Sequence, residues 1–119
     1  MSKILIVEDE ISVQSFIDRA LRHCGHETVA VGDGFAAIAA LKNETFDLLL
    51  TDIVMPGLDG IGLALKVSKD YPDMKILLMT GYATERQRAH NLEALIHRVI
   101  EKPFTLEEIC EAVAAELAG

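Results

Sequence analysis

The stretch Asp47–Asp52, DLLLTD, constrains this chain more than any other. Successive side chains of a strand point to opposite sides, so three consecutive leucines do not suit a strand with one wet face. Such a run reads as a strand buried on both faces, which requires a layer of structure on each side of its sheet. The run then stops on the carboxylate of Asp52, followed at once by MPG and a second turn, DG. A charge at the edge of a core costs on the order of several kcal/mol unless something pairs with it. A partner for Asp52 is therefore expected elsewhere in the sequence.

The rest of the chain supplies the covering layers. Short apolar runs at Ile4–Val7, Thr28–Val31, Leu48–Leu50, Ile76–Met79 and Val99–Ile100 alternate with longer segments of helical period, predicting five strands interleaved with five helices. In the first helix Ile17, Ala20, Leu21 and Cys24 follow i, i+3, i+4, i+7 spacing, and Gly25 supplies a left-handed stop. Asp33 suits the cap of the second helix, Asp59 or Gly60 the start of the third and Thr84 that of the fourth; TLEE from Thr105 reads as a capping box for the fifth. Strict β/α alternation with short connections implies right-handed crossovers and a doubly wound, five-stranded parallel sheet between helices, (βα)5. At 119 residues, half of them apolar, residues 1–119 are expected to form one α/β domain. Ligands of such sheets bind outside the carboxyl ends of the strands.

A formal charge of −8 repels nucleic-acid phosphates and anionic membranes, so neither is expected as a partner. The apolar runs fall far short of the ~20 residues of a membrane span, and MSKILIVEDE turns acidic where a signal peptide would continue apolar; a cytoplasmic protein is expected. Cys24 and Cys110 form no C-x-x-C pair and sit in helical patterns, which predicts reduced core residues. The HCGH run from His23 to His26 has metal-ligand residue types, but a helix end, a glycine and a strand start scatter their directions; a helix C-terminus with a favourable histidine is the reading adopted.

The strand ends carry matching chemistry. KILIVED ends on Glu8 and Asp9, so two carboxylates emerge where the third strand delivers Asp52. Unpaired, the three acids would repel one another; converging, they suit a hard divalent cation that keeps open water positions, which favours Mg²⁺. KILLMT ends on the hydroxyl of Thr80, and VIEK ends on Lys102. A hydroxyl and an ammonium beside a metal are what a phosphoryl group requires.

Through ILIVEDE, LLLTDIVMPGLDG, LLMTGYA and EKPF the chain resembles the response-regulator receiver domains of two-component signalling, which have a flavodoxin-like fold. The resemblance implies that Asp52 is the phosphoacceptor, loaded from a histidine kinase or histidine phosphotransfer protein. It further implies that Asp9, Asp52 and the Val54 carbonyl ligate Mg²⁺, with Glu8 acting through water. Thr80 is then the switch hydroxyl, Lys102 the residue that pairs with phosphate, Pro103 the partner in a cis bond with Lys102, and Tyr82 a shield over the pocket mouth. A receiver is not an enzyme beyond its own phosphorylation and dephosphorylation.

Two departures stand out. Many receivers carry an aromatic three residues before the lysine, where this chain has Val99; and Arg86, Arg88, His90, His97 and Arg98 gather in one short region of an acidic chain, suggesting a docking surface. Val13 and Phe16, at the edge of the first helix's apolar stripe, are expected to dock the phosphodonor. The segment MTGYATERQRAHNLEALIHRVIEKPF is similar to CpdR-like cell-cycle receivers, single-domain adaptors for a Clp-type AAA+ protease when unphosphorylated. A stand-alone receiver is expected, a monomer or weak dimer without an output domain, signalling by protein contact. Two alternatives remain: a phosphorelay intermediate, and an Asp-nucleophile phosphatase, which usually has a second acid at the position of Val54.

Overall fold

The computed structural model describes residues 2–55, 57–81 and 98–118. Along the chain these form β1 (Lys3–Val7), α1 (Ile11–His23), β2 (Glu27–Val31), α2 (Gly34–Asn43), β3 (Leu48–Asp52), α3 (Gly60–Asp70), β4 (Lys75–Thr80), β5 (Arg98–Glu101) and α4 (Leu106–Ala118). The helix α4 is the fifth one predicted from the sequence. The fourth predicted helix, opening at Thr84, lies outside the described residues, as do Pro56, Tyr82, Arg86, Arg88, His90 and His97.

The described strands form a five-stranded sheet in the order β2-β1-β3-β4-β5, every neighbouring pair parallel. Parallel register places Leu5, Leu49 and Ile76 side by side, and one residue further along Ile6, Leu50 and Leu77. The first row packs against Ala37 and Leu41 of α2 and Leu63, Ala64 and Val67 of α3. The second packs against Ile17, Ala20 and Leu21 of α1 and Ile109 and Val113 of α4. The leucine run of β3 is thus divided between two cores, and all five residues of the strand are buried. Burial of each such leucine stabilises the fold by about 1.5–3 kcal/mol relative to exposure.

Local signals place the helix ends. Gly25, at φ 92°, completes a Schellman ending of α1, with His26 N–H donating to the Leu21 carbonyl and Gly25 N–H to that of Arg22. Asp33 accepts from Ala36 N–H at 2.7 Å and Asp59 from Gly62 N–H at 2.8 Å. Thr105 and Glu108 form the reciprocal capping box, at 2.8 and 3.1 Å. Gly60 has a different necessity: a Cβ there would stand 2.0 Å from the carbonyl oxygen of Asp52, so only glycine lets α3 begin against the end of β3.

The expectation for the cysteines was wrong. Cys24 and Cys110 are joined as a disulfide between the end of α1 and the second turn of α4, with Cα atoms 6.5 Å apart. Cys24 is exposed, and Cys110 is half-buried against the core between α1 and α4, so neither is a fully buried residue. The pairing arises because α1 and α4 pack side by side on one face of the sheet, a relation between residues separated by 86 positions that no local spacing encodes.

Candidate functional site

Each functional side chain predicted at a strand end stands at the carboxyl edge of the sheet. Glu8 extends the pairing of β1, its N–H donating to the Val31 carbonyl at 3.1 Å, and its side chain is only 1% exposed. Asp9, the next residue, turns outward and is exposed. Asp52 ends β3 and is buried; Thr80 ends β4 and is buried. Lys102 follows β5, held there by its N–H donating to the Thr80 carbonyl at 2.7 Å. The Lys102–Pro103 bond is cis, as the resemblance implied.

Lys102 is the partner that Asp52 requires. Its Nζ donates to Glu8 Oε1 at 2.8 Å and to Asp52 Oδ2 at 3.1 Å, bridging the ends of β1 and β3. The other oxygen of Glu8, Oε2, accepts from the N–H of Glu10 at 3.0 Å. Gln14 of α1 completes the frame, its Nε2 donating to the carbonyls of Glu8 and Val31 at 2.9 and 3.0 Å. Glu10 and Gln14 were not singled out in the sequence, where neither belongs to a strand-end pattern.

Burial pushes the carboxyl groups of Glu8 and Asp52 up from their ordinary values, against the opposing pull of Lys102. Asp9 adds to the upward push on Asp52, while the backbone N–H of Val54 counters it. Burial alone would lower the Lys102 ammonium, but its hydrogen bonds and charge contacts with Glu8 and Asp52 outweigh that and hold it above its usual value. One ammonium between three carboxylates leaves an excess of negative charge. Ligand atoms of Glu8, Asp9 and Asp52 lie within 4.8 Å of one another, and a hard divalent cation fits this all-oxygen donor set.

The acids face a pocket of about 660 Å³ lined also by Glu10, Val13, Val54, Gly81, Lys102 and Pro103. Thr80, the residue before Gly81, is buried at the end of β4. Beside this pocket Val13 also lines a smaller apolar groove of about 240 Å³ with Ser12, Phe16, Lys102, Pro103 and Phe104. The rings of Phe16 and Phe104 face one another with centroids 6.3 Å apart. Phe104 was legible only as the last letter of EKPF; its role as the groove's far wall depends on α1 lying beside α4. Val99 is half-buried against the α2–α3 side of the sheet. Of the basic cluster, only the backbone of Arg98 is described. His23 lies in the last turn of α1 and Cys24 is engaged by Cys110, so HCGH forms no converging ligand set.

A parallel sheet between helices, with an acid triad and a lysine at its carboxyl edge, defines the class: a doubly wound α/β domain with its site at the strand ends. The family model for the response regulator receiver domain matches residues 4–114, and the chain belongs to that family, acting in two-component signalling. Among its relatives is the response regulator receiver protein CpdR of Brucella abortus, 35% identical over 113 residues that cover 95% of this chain and 94% of that one. Other curated relatives are larger proteins, of which the chain spans 25–45%. Among solved structures, the CheY-like receiver domain protein of Methanospirillum hungatei JF-1 superposes with a TM-score of 0.91 at 30% identity, covering 99% of this chain and 94% of that one. The response regulator TrrA of Thermotoga maritima, crystallised in complex with Mg²⁺-BeF, superposes with a TM-score of 0.87 at 29% identity over 97% and 98% of the two chains. Among the described residues, no helix is long and apolar enough to cross a membrane.

Proposed function

We propose that this chain is a stand-alone receiver that takes a phosphoryl group onto Asp52 from a histidine kinase or histidine phosphotransfer protein, and that it signals by phosphorylation-controlled binding to another protein. The observation that carries this reading is the Lys102 bridge between Glu8 and Asp52 at the mouth of an acidic pocket. An Asp52 carboxylate oxygen attacks the phosphorus of the donor phosphohistidine; the new O–P bond replaces the P–N bond, and the imidazole nitrogen departs with the bonding pair. Lys102, already directed at Asp52, balances the charge on the transferred group. Asp9, Asp52 and the carbonyl of Val54 would hold Mg²⁺ directly and Glu8 through water. When bound, the ion supplies electrostatic stabilisation of the phosphoryl oxygens. Thr80 reads the phosphorylated state, and Tyr82 shields it from water.

The full-length similarity to CpdR supports a downstream role as an adaptor for a Clp-type AAA+ protease. With Val99 in place of an aromatic lever, the signal passes through the loop after Thr80 to the basic residues Arg86, Arg88, His90, His97 and Arg98, which dock the target. Labelling by a small phosphodonor under limiting Mg²⁺ tests the site. Asp9→Asn should label at least about tenfold more slowly than wild type while keeping its thermal midpoint, and equal rates would remove Asp9 from the metal site. Arg86→Glu with Arg88→Glu should weaken target binding without changing Asp52 labelling; unchanged binding would place the readout on another face.

A further inference from the structure

Cys24 and Cys110 lie outside the acidic pocket and take no part in its chemistry. Ile17, Ala20 and Leu21 of α1 share one apolar cluster with Ile109 and Val113 of α4. Cys110 packs against this cluster, Cys24 is the cap residue at the end of α1, and with the bond closed their Cα atoms are 6.5 Å apart. That separation is within the range a disulfide spans without backbone movement. Because the apolar packing of α1 against α4 does not run through the bond, opening it leaves the two helices, and with them the two thiols, side by side. Once reduced, Cys110 has an acceptor for its thiol proton in the Ala20 carbonyl, 3.4 Å from its sulfur. Cys24 is the exposed member of the pair, at the turn after α1, and Cys110 the half-buried one.

We propose that Cys24 and Cys110 form a thiol–disulfide exchange site whose substrates are small-molecule disulfides in one direction and small-molecule thiols in the other. The Cys24 thiolate attacks one sulfur of a disulfide RSSR, forming a Cys24–SR mixed disulfide and expelling RS⁻. The Cys110 thiolate then attacks Cys24 Sγ, forming the intramolecular bond and expelling the second RS⁻. RSSR is reduced by two electrons to two RSH, the protons given up by the two cysteines passing to the leaving thiolates. The reverse reaction begins with RS⁻ attacking at Cys24, the accessible side. Closure ties the end of α1 to α4 across 86 residues of chain, which restricts the unfolded state and raises the stability of the folded one. This site does not depend on the phosphoacceptor reading.

The test is equilibration of the full chain with mixtures of reduced and oxidised glutathione of graded ratio, followed by alkylation in denaturant and intact-mass measurement. A single two-electron transition between two alkylatable thiols and none is expected, reversible under native conditions. The oxidised chain should unfold at a midpoint higher than the reduced chain by on the order of 10 °C. That gap should vanish in Cys24→Ser and Cys110→Ser, each retaining one thiol that only forms a glutathione adduct. Two alkylatable thiols at every ratio, or a stable glutathione adduct on the wild type, would mean the pair does not close. A closed bond that excess reduced glutathione fails to open would also overturn the proposal, since exchange requires both directions. The two redox states of the wild type give this result even if a serine variant folds poorly.

Discussion

Lys102 and its two carboxylates set the electrostatic behaviour of the molecule. Burial raises the carboxyl groups of Glu8 and Asp52, so the folded chain binds those protons more tightly than the unfolded chain. Their contribution to stability is accordingly greatest below about pH 4 and declines as pH rises through the raised values. Lys102 is also raised, and its contribution is fully present below about pH 10 and lost as pH climbs through its folded value. Without divalent cations, Asp52→Asn should stabilise the chain at pH 7 by on the order of 1 kcal/mol, a gain that shrinks toward pH 4. Lys102→Met leaves two buried acids without their ammonium and should cost about 3 kcal/mol at pH 7, part of it regained at pH 4 and part on adding Mg²⁺. Thermal unfolding of the three chains across this pH range checks both; a Lys102→Met variant as stable as wild type at pH 7 would mean the bridge is dispensable. The placement of Asp52, Asp9, Thr80 and Lys102 at strand ends was legible because each stands at or within two residues of the end of an apolar run. The commitment of both Glu8 oxygens to Lys102 and the Glu10 N–H was not, since it follows from distances between separate strands.

Helices and strands were legible wherever one segment encodes its own ending. The Gly25 stop, the Asp33 and Asp59 caps and the Thr105–Glu108 box are contacts between neighbours in sequence, and all form as the spacing implied. Strand limits moved by a residue or so, β4 running Lys75–Thr80 rather than Ile76–Met79, because ladder hydrogen bonds continue past the apolar run. The disulfide and the Phe16–Phe104 wall were hidden for the opposite reason: both join α1 to the α4 region, and only the assembled sheet brings those segments together. Gly60 is the most exacting of the element contacts. Gly60→Ala should cost about 3 kcal/mol, because the methyl must displace the Asp52 carbonyl or the start of α3. The displaced backbone carries Asp52, so small-phosphodonor labelling should slow as well. A Gly60→Ala chain with unchanged midpoint and labelling would show that α3 shifts freely.

For the whole molecule, the acidic pocket and the Val13–Phe16 groove share Val13, Lys102 and Pro103 as a wall, so under the proposed function a phosphodonor protein reaching Asp52 would meet both. Val13→Glu with Phe16→Glu should slow transfer from a phosphohistidine protein at least tenfold, about 1.4 kcal/mol of lost transition-state stabilisation, while a small phosphodonor labels Asp52 at the wild-type rate. Equal loss with both donors would signal a damaged fold instead. The bridge itself spans the molecule's length in sequence, since Lys102 reaches back 50 residues to Asp52 and 94 to Glu8. During synthesis the acids leave the ribosome long before the ammonium that joins them, and a chain ending at Thr80 carries the carboxylates without it. Under the proposed function an unfinished chain would be mute to its phosphodonor: the capacity to receive a signal would arrive only with the last strand, making competence for signalling a report that the sheet is complete.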